Sequence, residues 1–249
     1  MFLLLACMQA EPAAPPPNVI LVALDTVRWD ATSFAGLDTT PNLTALAELP
    51  GATNYSRAWS PAAWSLPSYV SLFTGQSVRA HQVGFSNDSL PPGHATLAEM
   101  LRAYGYSSAG FCSGPHLDPL TGVHRGFGAW NHDLAFSSMA GMVDPALQWA
   151  EEQEGPFLLF VQGYDAHVPY PAPSAIAEHF DHGEQAAPDG ACGDRATATC
   201  PSRVTMAKAR GGLDENPTDP REVAHRWSHY QAAVFTADHQ MGRLLYGLD

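Results

Sequence analysis

Two runs of consecutive apolar residues constrain the fold of this chain more than any other feature. Residues 19–24 (VILVAL) and residues 157–161 (FLLFV) lack the alternation expected of a strand with one face in water. Continuous apolar runs of this length predict strands buried on both faces, as in a parallel sheet covered by helices. Asp25 directly follows the first run, and a segment containing His167 follows the second.

Helical patterns separate the predicted strands. Residues 41–49, 96–104, 143–154 and the tail from Arg226 predict helices, and residues 106–112 predict a further strand. Such alternation favours an α/β fold with a mostly parallel central sheet and helices on both faces. Residues 171–220 are rich in Pro, Gly, Ala and Asp, show little periodicity and predict an irregular surface insertion.

Ser65 stands two residues before Pro67, in a segment that predicts a short helix stopped by Gly75. Proline is favoured in the first helical turn and glycine just beyond the last residue. A nucleophile there would lie beside unpaired backbone N–H groups that hold an anionic ester. The structural alternative is a serine that only caps a buried helix.

Composition and net charge argue against some classes of function. The chain has 249 residues with 25 acidic and 12 basic side chains, giving a net charge of −13. This charge argues against a nucleic-acid partner. No run of about 18 apolar residues is present, so no spanning helix is predicted. The length suits one large α/β domain or two small ones, and we place this folded region at residues 18–249. The sequence indicates no oligomeric state.

Residues 1–17 predict a signal-like segment and a proline-rich tether. Leu4 to Cys7 resemble a bacterial lipobox, in which Cys7 would carry lipid, although no basic residues precede the apolar run. This predicts export to the periplasm or a lipoprotein anchored to the membrane, the alternative being a plain apolar tail. Cys192 and Cys200 would close a small disulfide in an oxidising compartment, whereas Cys112 is predicted to be a buried small hydrophobic residue.

Motifs along residues 18–248 resemble, in family order, the N-terminal part of the sulfatase branch of the alkaline phosphatase superfamily. They include NV at 18–19, LDTVRWD at 24–30, TPNL at 40–43, AWSLPS at 63–68, LFTG at 72–75, HQVG at 81–84, LAEML at 97–101, RGF at 125–127 and HVPY at 167–170. The resemblance implies the fold of that family and hydrolysis of sulfate or phosphate esters.

The resemblance also implies roles for individual residues. Asp25 would be a metal ligand, Ser65 would occupy the nucleophile position, and His167 would bind substrate or assist the leaving group. Thr26 stands where many sulfatases carry a second acidic ligand. The implied cofactor is a divalent ion, calcium by resemblance to sulfatases and zinc or manganese by resemblance to phosphatases. The substrate would be an ester of a small molecule, a glycan or a lipid.

Sulfatases convert a Cys or Ser at the nucleophile position to formylglycine. Three departures from the family pattern argue against this conversion of Ser65. Tyr69 replaces the arginine four residues after Ser65, and Gln76 replaces another arginine. The lysine-bearing segment of sulfatases appears here as residues 110–116 without a lysine. An unmodified Ser65 would suit phosphoryl transfer better than hydrolysis of sulfate esters.

Two further groups remain open as metal ligands. Asp238 and His239 resemble a metal motif of the superfamily, but their apolar neighbours predict a helix that precedes such a motif. His179 and His182, which flank Asp181, share a possible helical face, but solvated loop histidines are the favoured interpretation.

Two classes of function therefore remain. The first is a metal-dependent hydrolase of sulfate or phosphate esters, or within that class a phosphodiesterase or phosphotransferase that uses unmodified Ser65. The second is a non-catalytic truncated chain or pseudoenzyme, because the expected second metal motif would lie beyond Asp249. Serine α/β-hydrolases are excluded because Ser65 lacks the glycines of their nucleophile turn.

Overall fold

The structure is a computed structural model that describes residues 15–86, 88–168, 170, 172–180 and 220–249. Cys7, Asp181, His182, Cys192 and Cys200 lie outside these residues, so their predicted roles remain predictions. Among the described residues, no helix is both long and apolar enough to cross a membrane.

A parallel four-stranded sheet forms the centre of the fold. Its strands are β1 (Val19–Leu24), β2 (Ser107–Ser113), β3 (Ala129–Asp133) and β4 (Phe157–Gly163), in the order β1-β4-β2-β3. All three pairings are parallel, with Leu24 opposite Gly163 and Phe111 opposite Val161. The carboxyl ends of the strands therefore share one edge of the sheet, where ligands bind in open α/β sheets.

Helices cover both faces of this sheet. They are α1 (Pro41–Ala47), α2 (Ser65–Thr74), α3 (Val78–His81), α4 (Leu97–Arg102), α5 (Ala140–Glu151), α6 (Ser174–Phe180) and α7 (Pro220–Leu248). One core cluster joins α5 and Leu244 of α7 to Leu159 and Val161. A second cluster joins α2 to Phe160, whose side chain points to the other face. The predicted α/β architecture with helices on both faces is confirmed.

Local sequence signals explain several boundaries. Thr96 and Glu99 form a reciprocal capping box at the start of α4. Gly75 ends α2 in the left-handed conformation at φ 67°. Ser65 is the first helical residue of α2, and the residue before the helix is Trp64. The interpretation of Ser65 as a capping serine is therefore wrong.

Two expectations about the elements need correction, and one strand was not predicted. Strand β4 is buried throughout, but every residue of β1 is half-buried or exposed because β1 pairs on one side only within the described sheet. The segment 171–220, predicted to be irregular, contains α6. Strand β3 was not predicted, because its sequence AWNHD lacks an apolar pattern.

Buried polar contacts settle the interpretation of Asp238 in favour of a helix residue. Asp238 lies within α7 and is fully buried. Its carboxylate accepts hydrogen bonds from the backbone N–H groups of Asn42 at 2.9 Å and Leu43 at 2.8 Å. It thus caps the first turn of α1 from a distant part of the chain. His239 beside it is exposed.

Candidate active site

A cavity of about 700 Å³ opens beside the carboxyl end of β1. Its walls come from the turn after β1, the loop before α2 and the first turns of α2. Most of these side chains are apolar or carry hydroxyls, and Asp25 is the one carboxylate among them. The lining includes Asp25, Thr26, Arg28, Trp64, Ser65, Ser68 and Tyr69.

Asp25 is the centre of the polar contacts in this cavity. Its Oδ2 accepts a hydrogen bond of 2.7 Å from the hydroxyl of Tyr69 and a longer one of 3.4 Å from the hydroxyl of Ser65. Burial raises the pKa of the Asp25 carboxyl above its ordinary value, and the bond from Tyr69 and the charge of His167 oppose this rise. The structure thus brings the predicted residues Asp25 and Ser65 into contact.

Ser65 lies where the dipole of α2 is positive. Trp64 makes no capping hydrogen bond with its side chain, so it leaves the first N–H groups of α2 available. These groups and the helix dipole favour an anion at this end of the helix. Ser65 is half-buried at the cavity wall, which leaves its hydroxyl accessible to a ligand.

The turn after β1 is held by α7. Thr26 adopts the left-handed conformation at φ 58°, which is strained for a β-branched residue. The hydroxyl of Tyr230 donates to the carbonyl of Thr26 at 2.7 Å and accepts from the N–H of Arg28 at 2.7 Å. Arg28 itself pairs with Asp30 at 2.6 Å, so its charge is already partnered. These contacts position the backbone that presents Asp25.

Two histidines lie within electrostatic range of Asp25. His167 follows β4, and the hydrogen on its Nδ1 is donated to the carbonyl of Val168 at 2.6 Å. His116 follows β2 and packs edge-on against Trp64. Burial lowers the pKa of His116, while Asp25 opposes that shift. The sequence reasoning missed His116, although it stands in the segment noted for its missing lysine.

The residues present do not by themselves fit a divalent metal ion. Across residues 15–86, 88–168, 170, 172–180 and 220–249, no three His, Cys, Asp or Glu side chains are grouped to hold one. Asp25 offers one carboxylate, which already accepts two hydroxyl hydrogen bonds. Thr26 adds only a neutral hydroxyl, and hard cations bind six or more oxygen ligands. His179, which the sequence left open as a metal ligand, lies exposed in α6.

The sequence profile described as Sulfatase matches residues 17–249. The chain belongs to the sulfatase family. The resemblance inferred from the motifs is thereby confirmed. No curated protein matches this member of the family.

Solved structures support the same assignment of fold. A phosphonate monoester hydrolase of Agrobacterium radiobacter superimposes with a TM-score of 0.71 at 19% identity, covering 94% of this chain and 59% of that one. A protein in complex with its substrate D-glucosamine-2-N,6-O-disulfate gives 0.70 at 15% identity, covering 93% and 62%. The lipoteichoic acid synthase LtaP from Listeria monocytogenes gives 0.57 at 18% identity, covering 95% and 53%. This sulfatase-family chain thus spans between about half and three fifths of their lengths.

Proposed function

We propose that this sulfatase-family chain hydrolyses sulfate or phosphate esters with Ser65 as the nucleophile. The observation that supports the proposal is the contact between Ser65 Oγ and Asp25 Oδ2 at 3.4 Å, at the first residue of α2 and on the wall of a cavity. A nucleophilic hydroxyl needs a neighbouring base, and a helix N-terminus stabilises the oxygens of an anionic ester.

In the first step, Ser65 Oγ attacks the sulfur or phosphorus atom of the ester. The Oγ–S or Oγ–P bond forms, the bond from that atom to the ester oxygen breaks, and the hydroxyl proton of Ser65 passes to Asp25 Oδ2. Burial raises the pKa of Asp25, which makes its carboxylate a stronger base than an exposed aspartate. The N–H groups of α2 hold the non-bridging oxygens.

The leaving oxygen requires a proton. His167 is suited to supply it from Nε2, because its Nδ1–H is fixed on the carbonyl of Val168. His116 lies near both Asp25 and His167 and would bind the ester or share this role. Water then attacks the covalent intermediate, Ser65 leaves as the hydroxyl after recovering a proton, and sulfate or phosphate is released.

Ser65 acts in this scheme as an unmodified serine. Tyr69 occupies the position of the family arginine, and its hydroxyl is engaged with Asp25 at 2.7 Å. A serine intermediate can pass its group to an alcohol as well as to water, so a phosphotransferase is the variant of this function that the same chemistry allows. Small-molecule, glycan and lipid esters remain the proposed substrates.

Dependence on a divalent metal ion is a further part of the proposed function, but the chemical steps above do not include one. The resemblance implies calcium, zinc or manganese, with Asp25 as one ligand, but the described side chains make only a partial set of ligands. No step is therefore assigned to a metal. Export through residues 1–17 and a lipid on Cys7 likewise remain predictions.

The deciding experiment measures turnover of aryl sulfates and of aryl phosphate mono- and diesters. We expect Ser65→Ala to lower kcat at least about 10³-fold, because the nucleophile is lost. Ser86→Ala, in an exposed loop, is the matched control and should keep full turnover. Peptide mass spectrometry of Ser65 from the native host should find serine and no formylglycine.

The second candidate is a non-catalytic chain that binds anionic esters in the same cavity. The lone carboxylate of the cavity favours this alternative. It predicts equal, negligible turnover for the unchanged protein and Ser65→Ala, together with calorimetric binding of inorganic sulfate or phosphate. Turnover that disappears in Ser65→Ala would exclude it.

A further inference from the structure

Tyr164 is a buried phenol at the carboxyl end of β4, and the proposed function does not use it. It directly follows β4 and is 1% exposed. Its ring packs edge-on against Phe136 and His167, with centroid distances of 4.9 and 5.1 Å. Its backbone N–H donates to the carbonyl of Ser137 at 2.9 Å. The side chain is therefore held in one place from several sides.

Gly114 makes the room that this ring occupies. A Cβ atom at residue 114 would lie 2.2 Å from Cε2 of Tyr164, and Gly114 has a φ of 85°. A larger residue at this position would have to displace the aromatic ring. The fit of the Tyr164 ring therefore depends on glycine at residue 114.

The hydroxyl of Tyr164 is the unusual part of the side chain. It is buried and forms no hydrogen bond of normal geometry with any residue that the structure describes. Burial raises the pKa of the phenol, the charge of Asp25 raises it further, and the side chain of Ser65 lowers it. The hydroxyl therefore stays protonated at neutral pH. Tyr164 follows Gly163, which pairs with Leu24, so Tyr164 stands beside Asp25 at the ends of neighbouring strands, and Asp25 contacts Ser65. Buried hydroxyls without a partner are rare because they cost folding free energy.

We propose that Tyr164 is a positioning residue whose hydroxyl, unpartnered in the free protein, donates a hydrogen bond to Oγ of Ser65 as that oxygen attacks the ester. This role rests on the proposed function of Ser65. The direction follows from the partners: an ionised Asp25 can only accept, so the hydrogen of Ser65 goes to Asp25, and Oγ is the atom that can accept from Tyr164. Negative charge that develops on Oγ during the attack then meets this donor.

The hydroxyls of Tyr69 and Tyr164 differ in their hydrogen-bond partners. The Tyr69 hydroxyl donates to Asp25 at 2.7 Å and is therefore already committed to the carboxylate. The Tyr164 hydroxyl has no such commitment. Ser65 thus already contacts its base, while the hydroxyl of Tyr164 remains available as a donor.

The test compares Tyr164→Phe with Tyr104→Phe, whose ring is 78% exposed. The first readout is labelling of Ser65 by an aryl sulfonyl fluoride, followed by peptide mass spectrometry. In this reaction, Oγ displaces fluoride from sulfur and the hydroxyl proton leaves to Asp25. We expect Tyr164→Phe to slow labelling about 10- to 100-fold, the usual worth of a hydrogen bond to a charged group. Tyr104→Phe should react like the unchanged protein.

Two further readouts separate positioning from a structural role. With an aryl ester, Tyr164→Phe should lower kcat by a similar factor and leave KM within about twofold, since only the transition state is affected. Its melting temperature should stay unchanged or rise, because a buried hydroxyl without a partner is removed. A clear fall in melting temperature with normal labelling would assign Tyr164 to the scaffold and overturn the inference.

The outcomes also distinguish this inference from the proposed function. Equal labelling of the unchanged protein and Tyr164→Phe overturns the role of Tyr164, even where Ser65→Ala loses turnover. Slower labelling in Tyr164→Phe supports that role, even where the unchanged protein has no turnover and the proposed function fails. Failure of the unchanged protein to be labelled at Ser65 also overturns the inference.

Discussion

Asp25 and Asp165 stand near the carboxyl ends of neighbouring parallel strands, but they bond to different partners. Asp25 accepts hydrogen bonds from the hydroxyls of Ser65 and Tyr69 beside a cavity. Asp165 accepts from the backbone N–H of Met139 at 2.8 Å and from the hydroxyl of Ser138, at the start of α5. Burial raises the pKa of both carboxyls. The partners, and not the position or the pKa, separate a candidate catalytic carboxylate from one that fixes a helix.

The largest expected effect is on turnover, from Asp25→Asn. An amide cannot take the proton of Ser65, and a general base contributes about 10²- to 10⁴-fold to rate. We therefore expect kcat/KM for aryl esters to fall within that range, while the free energy of unfolding stays constant or increases because a partly desolvated charge is removed. Steady-state kinetics and denaturant unfolding measure the two effects. Unchanged turnover in Asp25→Asn would contradict a catalytic role for Asp25 and leave it no different in function from Asp165.

We expect Asp165→Ala to have the opposite effect: it should lower stability and leave turnover per folded molecule unchanged. Its loss leaves buried donors at the start of α5 without an acceptor, which costs roughly 2–3 kcal/mol. For a domain of this size, that corresponds to a fall in melting temperature of about 4–12 °C by calorimetry.

Asp238→Ala is the matched control for this prediction, because Asp238 caps α1 without lining the cavity. It should lose roughly 1–2 kcal/mol and keep its turnover per folded molecule. An unchanged melting temperature in both variants would contradict the assignment of these two carboxylates to the scaffold.

A smaller effect concerns the pH dependence of stability. The pKa of Asp25 is raised in the folded state, so the folded protein holds this proton more tightly than the unfolded chain. Stability from this group is therefore fully present below the unfolded pKa and decreases as pH rises to the folded pKa. Denaturant unfolding across this range should show a steeper decline for the unchanged protein than for Asp25→Asn. Parallel curves would indicate that burial does not shift the pKa of Asp25.

The smallest expected effect is that of metal ions. With one carboxylate at the cavity, we expect calcium, zinc or manganese at about 1 mM to raise the free energy of unfolding by roughly 1 kcal/mol or less. Asp25→Asn should remove this effect, while Asp165→Asn should keep it. Tight binding that survives in Asp25→Asn would place the metal ligands elsewhere.

The sequence predicts the parts of the fold that depend on local pattern. The apolar runs of β1 and β4, the helical pattern of α4 and the glycine that ends α2 are each visible without a structure. Strand β3 is not predictable in this way, because its residues are polar and half-buried and only pairing with β2 makes them a strand.

The residues of the candidate site also differ in whether local sequence pattern predicts them. Asp25, Ser65 and His167 are visible because each stands at the end of a recognisable element. Tyr164 and His116 depend on contacts between distant segments: the ring of Tyr164 fits only because residue 114 is glycine, and His116 packs against Trp64. No local pattern contains these contacts.

The position of β1 at the edge of the described sheet has a consequence for how firmly the site is held. Asp25 is anchored by a strand with backbone hydrogen bonds to β4 on one side only, whereas Tyr164 extends from a strand paired on both sides. Amide protons of edge strands exchange with solvent more readily than those of interior strands. Within the described residues, we therefore expect the amide protons of β1 to exchange faster than those of β4, so that the backbone carrying the carboxylate opens more often than the backbone carrying Tyr164.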